Sequence, residues 1–310
     1  MDPKPFPSGR LPRISLVTVS YNAADYIDAT LSSVLSQRYP DLEYILLDGG
    51  SRDGTMDIVA RHRAGLSHVS SEPDGGQYHA IQRGLDMATG EVCAWLNADD
   101  IYLPWTLSVV GEIFATFPEV DWIIGSPAYL NRLGQCTRVS GVTAPAYPRR
   151  EIAAGWYRES MSGFLQQESM FWRRSLWQRV GGMDLSLKYA ADFDLWRRFA
   201  EHADLVSVAV PLAAFRQRPG EQRSSAGRDH YDAEVTRVIA GQPAPALPWR
   251  LMGEAGEAPR HLMRMMRWGR APVIAYSQAQ QAWCKRVCRR PVARTSLADV
   301  LLERTLRRAG

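Results

Sequence analysis

Between Ile14 and Asp100 the chain alternates strand-like and helix-like stretches, and each strand-like stretch runs out into Asp, Asn, Gly or Ser. Ile14-Ser15-Leu16-Val17-Thr18-Val19 is β-rich and stops at Ser20-Tyr21-Asn22. From Asp25 the apolar residues Ile27, Leu31, Val34 and Leu35 recur at helical spacing. Glu43 to Leu47 predicts a second strand, closed by DGGSRDGT (Asp48 to Thr55), and a helix follows from about Thr55 to Arg63. His68 to Ser71 predicts a short third strand, ending in EPDGG. A helix from Gln77 to Met87 then leads into GEVCAWLNADD, Gly90 to Asp100. Four strand–helix units in succession predict an α/β fold: a mostly parallel sheet, flanked by helices and joined by right-handed crossovers.

The last of these stretches carries the chemistry. The apolar run Val92-Cys93-Ala94-Trp95-Leu96 breaks into Asn97-Ala98-Asp99-Asp100. Adjacent carboxylates belong at the open carboxyl edge of a sheet, where α/β folds hold their ligands. An oxygen-rich cluster there suits a hard cation such as Mg²⁺ or Mn²⁺. A solvated turn ahead of the helix after Pro104 accounts for the same four residues equally well. Asp48 has a similar double reading. Its carboxylate could accept from a base N–H or a ribose hydroxyl, with glycines beside it for close approach. A tight turn with a capped helix start also explains DGGSRDGT. Asp74-Gly75-Gly76 fits either use. No GxGxxG joins the first strand to its helix and no GxxxxGK[ST] occurs, which argues against dinucleotide-binding and P-loop folds.

At 310 residues, 45% apolar and 23% charged, the chain has the balance of a soluble protein with a large core. Cys93, Cys136, Cys284 and Cys288 form no CxxC pair and no zinc-like spacing, which points to a reducing cytosol. MDPKPFPSGRLPR at the start lacks the apolar core of a signal peptide. No run approaches the roughly eighteen apolar residues of a membrane span. Charge is uneven: from Pro245 to Gly310 thirteen Lys or Arg face four Asp or Glu, a local +9 within a net +4, so the preceding part carries −5. An acidic body with a basic tail argues against a nucleic-acid binder and leaves open a tail that meets an acidic surface.

In the second half, Pro104 opens a helix to about Phe117, and Asp121 to Gly125 predicts a short strand. Pro127 to Trp156, rich in Gly, Pro and Tyr, predicts an irregular acceptor-side region or a mobile lid. Phe164 to Ser169 leads into a strand over Met170 to Arg174; Gln167 and Glu168 there are either site residues or part of a plain strand edge. In AADFDLWR, Ala190 to Arg197, helical spacing turns Phe193, Trp196 and Phe199 inward. Asp192 lies at that helix start, where the macrodipole favours a carboxylate for structural reasons alone. Asp194 faces another side. Beyond Gln242, Pro243, Pro245 and Pro248 predict a linker. Leu262, Met263, Met266, Trp268 and Trp283 among many arginines predict basic amphipathic helices, lying on anionic lipid or capping the body.

TVSYNA (Thr18 to Ala23), LLDGGSRDGT (Leu46 to Thr55), EPDGGQYHAIQRGLDMATGEVCAWLNADD (Glu72 to Asp100) and GGMDLSLKYAADFDLWRRF (Gly181 to Phe199) occur in that order. Together, over roughly residues 12 to 225, they resemble the family 2 glycosyltransferases, in particular bacterial enzymes of cell-surface polysaccharide synthesis. The resemblance implies a glycosyltransferase A-type fold, a nucleotide-diphosphate sugar donor, Mg²⁺ or Mn²⁺, and inversion at the anomeric carbon. It implies Thr18, Tyr21 and Asn22 lining base and ribose, Asp48 holding the nucleobase, and Asp74 and Arg83 near base and phosphates. Asn97-Ala98-Asp99 matches the family's metal-binding Asp-x-Asp, with Asp99 as ligand, Asp100 as helper and Asn97 left to a ribose or water-mediated contact. Asp192 matches the general base, with Ala191 where the family often has Glu. Phe215-Arg216-Gln217-Arg218 with Ser224-Ser225 resembles the basic loop that closes over the diphosphate, with Arg216 on phosphate. Gln167 matches a polar side chain that contacts donor or acceptor.

These readings divide the chain into a disordered segment over 1–11, a catalytic domain over 12–240 and a basic helical extension over 241–310. The expected activity is inverting, metal-dependent transfer of a sugar to a hydroxyl of a glycan or lipid-linked acceptor. The expected place is the cytoplasm, with peripheral contact at the inner face of the plasma membrane. A sugar-nucleotide nucleotidyltransferase is the first rival, but TVSYNA lacks the Gly-rich loop with Arg and Lys that it needs. A catalytically silent sugar-nucleotide-binding scaffold is the second, left open by Asn97 and Ala191.

Overall fold

The computed structural model describes residues 10–139, 145–158, 162–218, 227–242 and 268–291. Strand β1 (Ile14–Ser20) is buried along its whole length because helices cover both faces of its sheet. Alternation sends Val17 and Val19 into one core and Leu16 into another. Helix α1 (Ile27–Leu35), strand β2 (Leu42–Asp48), helix α2 (Thr55–Arg61), strand β3 (His68–Ser71), helix α3 (Gln77–Met87) and strand β4 (Val92–Asn97) follow as the alternation predicts. β1 pairs in parallel with β2 and with β4, and β2 with β3. Ser20, Asp48 and Asn97 therefore finish side by side at one edge.

Beyond a two-residue strand β5 (Ile101–Tyr102) come α4 (Thr106–Thr116), β6 (Trp122–Ile124), β7 (Ala128–Leu130) and β8 (Cys136–Val139). Then come α5 (Arg149–Ala153), β9 (Met170–Arg173), α6 (Arg174–Val180), α7 (Ala191–His202), β10 (Leu205–Val208), β11 (Ala213–Arg216) and α8 (Arg228–Val238). β9 runs antiparallel between β4 and β6, so the sheet is mixed rather than wholly parallel. The region over Pro127 to Trp156, expected to be irregular, contains β7, β8 and α5. Those two strands join β5 and β11 in a second sheet of order β5-β11-β7-β8.

Two apolar layers sandwich the main sheet. Ala80, Ile81 and Leu85 of α3, with Leu195, Trp196 and Phe199 of α7, pack on the face that carries Val17 and Trp95. Leu31 and Val34 of α1, with Leu107, Val110 and Ile113 of α4, pack on the face that carries Leu16 and Leu96. Trp95 of β4 stacks on Trp196 of α7, ring centroids 5.3 Å apart and planes 7° from parallel. That contact fixes α7 against the strand that ends in Asn97.

The described part of the tail corrects one expectation. Trp268–Ser277 and Ala282–Pro291 form an antiparallel hairpin, β12 and β13, not helices, and β12 extends the main sheet by pairing in parallel with β10. Local pattern fails here for a physical reason: the open edge of β10 offers backbone partners that a helix cannot use. Pro272, Val273, Ile274, Tyr276 and Val287 also suit a strand better than a helix interior. Trp283 donates to Glu112 of α4 at 2.8 Å, and Lys285 pairs with Glu119. The expected disordered segment lies outside the described residues except for Arg10 and Leu11. The proline-rich linker, the stretch with Leu262, Met263 and Met266, and Ser224-Ser225 lie outside them as well.

Helix α3 approaches β1 closely because Gly84 has no side chain. A Cβ there would meet Val17 Cγ1 at 2.5 Å and Leu47 Cδ1 at 3.3 Å. Gly84→Ala should therefore destabilise the protein by about 1–3 kcal/mol through overpacking, seen as a lower urea midpoint with an unchanged slope.

Candidate functional site

The carboxyl edges of β1, β2 and β4 hold most of the residues singled out from the sequence. Asp48, at the end of β2, is only 2% exposed. Its Oδ1 accepts from Ser20 Oγ at 2.8 Å and Ser51 Oγ at 2.6 Å. Its Oδ2 accepts from the backbone N–H of Gly50 and Ser51 at 3.1 and 2.8 Å, and from Ser71 Oγ at 2.7 Å. Burial alone would raise this carboxyl's pKa; the hydrogen bonds from Ser51, Ser71 and Ser20 outweigh burial and hold it below the ordinary value. Asp48 thus builds the turn that brings Gly49 and Gly50 to the edge, Gly50 with φ of 82°.

Around that turn, Tyr21 is 68% exposed. Asn22, with φ of 47°, accepts from the N–H of Arg52 at 3.0 Å. Asp74 accepts from the N–H of Gly76 at 2.7 Å, and a Cβ on Gly49 would lie 3.4 Å from both Asp74 and Tyr21. Tyr21 and Asp74 therefore flank a narrow strip of bare backbone. One expected neighbour is elsewhere. Thr18 is fully buried, two positions below the strand end, and pairs with the Tyr44 hydroxyl at 2.9 Å, so its side chain reaches no ligand at the edge. Arg83 bonds Glu72 and Ser70, each at 2.5 Å, on either side of Ser71, which itself bonds Asp48.

At the end of β4 a chain of amides sets the geometry. Gln77 Nε2 donates to Asn97 Oδ1 at 2.8 Å, Asn97 Nδ2 donates to Gln167 Oε1 at 3.0 Å, and Gln167 Nε2 donates to the Trp95 carbonyl at 2.7 Å. An aspartate at position 97 could not donate to Gln167, which gives the departure from Asp-x-Asp a structural reason. Gln77 opens α3, and its neighbour Tyr78 donates to Asp192 Oδ1 at 3.0 Å. The start of α3 therefore bridges Asn97 and Asp192, which are 95 residues apart in the chain. Asp194 instead pairs with Arg197 and Arg198 at 3.6 and 2.7 Å on its own helix.

Asp99 and Asp100 differ sharply. Asp99 Oδ2 accepts from Arg218 at 3.2 Å (Nε) and 2.5 Å (Nη2). Its Oδ1 accepts no hydrogen bond among the described residues. Asp100 is 1% exposed and accepts from the N–H of Arg216 at 2.9 Å. Burial first, then the charges of Asp99 and Glu168, raise its carboxyl well above the ordinary value. At 1% exposure this carboxyl is turned inward to the Arg216 N–H, whereas the Asp99 carboxylate is partly exposed. Glu168 is buried nearby, 3% exposed.

Arg216 also departs from expectation. It is 3% exposed, its Nε donates to the Asp99 carbonyl at 2.7 Å, and its Nη1 donates to the Arg132 carbonyl at 3.1 Å. Arg216 spans the two sheets, and Arg218 is the cation on the Asp99 side chain. Both guanidinium groups lie over the Tyr26 ring, at 5.2 and 4.8 Å. The part played by Gln77, Tyr78 and Arg218 was not readable locally, because each acts across elements far apart in sequence.

Among the described residues no three His, Cys, Asp or Glu converge as a metal cage. What the end of β4 offers is Asp99, its side chain 18% exposed, with one oxygen that accepts no hydrogen bond among the described residues. That donor set suits a cation shared with a bound diphosphate, where one or two carboxylates plus substrate phosphates and water complete the shell.

The sequence model described as Glycosyl transferase family 2 matches residues 15–179, more than half the chain. This chain belongs to glycosyltransferase family 2. It is 29% identical over 206 residues to an uncharacterized glycosyltransferase of Mycobacterium tuberculosis, covering 66% of this chain and 75% of that one. A PGL/p-HBAD biosynthesis glycosyltransferase of Mycobacterium bovis is 26% identical over 215 residues, covering 67% and 78%. Among solved structures, S. aureus TarS 1-349 in complex with UDP-GlcNAc matches with a TM-score of 0.59 and 21% identity, over 77% of this chain and 70% of that one. The mannosyltransferase PcManGT from Pyrobaculum calidifontis, in complex with GDP-Man and Mn²⁺, matches with a TM-score of 0.54 and 23% identity, over 82% and 72%. The fold is that of the A-type glycosyltransferases, and the chain is a glycosyl-transfer enzyme.

Asp48 gives this glycosyltransferase a titration signature. A depressed carboxyl stabilises the fold fully above its ordinary value of 3.8, and that stabilisation is lost as pH falls through the lower folded-state value. Asp48→Asn should cost about 1–3 kcal/mol at neutral pH and flatten the acid slope of stability, read from urea unfolding at a series of pH values.

Proposed function

We propose that the enzyme moves a sugar from a nucleoside-diphosphate donor to an acceptor hydroxyl by direct displacement, with inversion, using a divalent cation. The observation that carries this reading is the bridge at the start of α3, where Gln77 holds Asn97 and Tyr78 holds Asp192. A strand end with a carboxylate for the leaving group and a carboxylate base thereby flank one helix start. The donors seen in the neighbouring structures, UDP-GlcNAc and GDP-Man, support a nucleotide sugar here.

Each residue then has a part that its surroundings allow. Tyr21, Asn22 and Asp74 border the bare backbone at Gly49, where the nucleoside would lie, and Asp48 holds that turn in place. Asp99 would hold Mg²⁺ or Mn²⁺ through its uncommitted oxygen. A cation bound there supplies positive charge to offset the charge that grows on the departing diphosphate. Arg218 takes over the phosphate contact expected of Arg216, since its guanidinium is already on the Asp99 carboxylate. Asn97 and Gln167 fix the strand end from below, and Glu168 adds to the negative field there.

Asp192 serves as general base. Its Oδ1 is engaged by the Tyr78 hydroxyl and the N–H of Phe193, which leaves Oδ2 to take the acceptor's proton. Burial raises this carboxyl above its ordinary value despite those two hydrogen bonds. A base with a raised pKa is stronger and better matched to a neutral working pH. One base suffices, because inversion needs no sugar–enzyme intermediate.

We place the acceptor among bacterial surface glycans or lipid-linked precursors, and the reaction in the cytoplasm, where free Cys93, Cys136, Cys284 and Cys288 remain reduced. Among the described residues no helix is long and apolar enough to cross a membrane. The exposed Arg270, Arg286 and Arg289 of the hairpin are the described groups best placed for peripheral contact with anionic lipid.

Donor turnover with Mn²⁺ tests the reading. Release of nucleoside diphosphate is expected, whereas release of pyrophosphate would indicate a nucleotidyltransferase. Asp192→Asn should lower kcat by about 10²–10⁴-fold while leaving donor binding intact. Activity should fall as pH drops through the raised Asp192 value, an acid limb above 3.8. Chelating the cation, or Asp99→Ala, should remove most of the donor-induced thermal shift; a shift that survives both would sink the metal assignment.

A further inference from the structure

Helix α7 begins without a cap of its own. Its N-cap position is Ala190, which makes no side-chain capping bond, and the next residue is Ala191. Two residues into the helix stands Asp192, so any slack in the preceding loop would move the base directly. The loop is instead held by a carboxylate from another helix. Glu234 of α8 accepts from three successive backbone N–H groups: Lys188 at 2.8 Å on Oε1, and Tyr189 and Ala190 at 2.8 and 2.9 Å on Oε2.

The same loop is gripped from two other directions. The single hydroxyl proton of Tyr78 is shared between Asp192 Oδ1 at 3.0 Å and the Tyr189 carbonyl at 3.1 Å. The Tyr189 ring stacks on His230 of α8, centroids 5.2 Å apart. Ala190 and Phe193 pack with Val235, which fixes α8 against the start of α7. Such bonds to a carboxylate are charge-assisted and hold the amides more firmly than a neutral acceptor would.

We infer that Glu234 is a positioning residue for the general base: it pins residues 188–190 and places a second negative charge beside the Asp192 carboxylate. The inference rests on Asp192 being that base. Glu234 has both effects at once because α8 delivers it to the helix start from outside the segment. In this chain it caps the backbone N–H groups of 188–190, next to an N-cap residue, Ala190, that makes no side-chain capping bond. The groups facing Asp192 are Tyr78 from α3, Arg197 from its own helix, and Tyr231 and Glu234 from α8; Arg158 acts on Tyr231. Among them Glu234 raises the Asp192 value through its charge, in addition to the larger effect of burial.

The decisive measurements need no substrate. Carboxyl-carbon NMR would follow the titration of Asp192, assigned by its loss in Asp192→Asn, in the wild type and in Glu234→Gln. The midpoint is expected to fall in Glu234→Gln, because a neighbouring negative charge has been removed. Hydrogen exchange at the amides of 188–190 should quicken by about tenfold or more in Glu234→Ala, whose side chain accepts nothing. An unmoved midpoint, or exchange no faster than in the wild type, overturns the inference.

Kinetics add the functional readout, with UDP-GlcNAc and GDP-Man in the presence of Mn²⁺ as donors. Glu234→Ala should lower kcat by up to about 10²-fold with little change in donor KM, the mark of a displaced base. Glu234→Gln should shift the acid limb to lower pH, which a merely structural role would not do. If Asp192→Asn proves as active as the wild type, the reading of the site fails; if only the Glu234 variants do, this inference fails alone.

Discussion

Negative charge concentrated at one strand end is the constraint to which the rest of the molecule answers. Asp99, Asp100 and Glu168 lie close enough that the charges of two of them raise the carboxyl of the third. Left alone, such a group would repel itself and resist burial. The second sheet resolves the conflict: β11 lies beside β5, the strand that follows Asp100, and delivers Arg216 and Arg218 to it. Arg216 is sunk between main-chain carbonyls and the Tyr26 ring, so it acts as a fixed countercharge. Arg218 sits one step outward, on the partly exposed Asp99 carboxylate. The two differ in depth: Arg216 is 3% exposed and Arg218 has a side chain 20% exposed, which is why the phosphate contact is proposed for the outer one.

A second requirement is that Asp192, the proposed base, stay in register with that strand end. Trp95 and Trp196 are stacked at 5.3 Å, and Trp172 meets Trp95 edge-on at the same separation. Large buried rings in such contact leave little room for α7 to slide. Asp192 stands one helical turn before Trp196, and Asn97 two residues after Trp95. The aromatic layer thus sets the distance between the two ends of the site, while Tyr78 and Gln77 fix their orientation. Apolar packing and polar chemistry are coupled here through adjacent residues.

The polar residues of the site divide between those proposed to meet ligand and those whose hydrogen bonds are already spent on the protein. Asp48 is the clearest of the second kind, with five donors on two oxygens. Asn97 belongs there too, because its amide must both accept and donate. These saturated groups spend their hydrogen bonds on preorganisation, which leaves the open surface to Tyr21, Asp74, Asp99 and Asp192. Preorganised dipoles and charges are worth most where water is scarce, as around the buried Asp48.

Periodicity in the sequence was enough to determine β1 to β4 and α1 to α4, the parallel pairing of those strands, and the place of Asp48, Asn97 and Asp99 at strand ends, but not the two-residue β5. Those features follow from side-chain alternation and helical spacing, which are local and repeat along the chain. Four quoted motifs in order were also enough to indicate the family. What the tertiary structure alone decided involved partners far away in the chain. The hairpin over 268–291 formed because β10 had an open edge. Thr18 turned out to be interior because both faces of β1 are covered, and its hydroxyl is taken up by that of Tyr44. Arg216 was buried beside the second sheet while Arg218 stayed partly exposed on the Asp99 carboxylate. Glu234 reached the start of α7 from a separate helix. Burial and distant hydrogen bonds are set by the packing of whole elements, and a linear pattern of residues does not encode which of two like charges ends up inside.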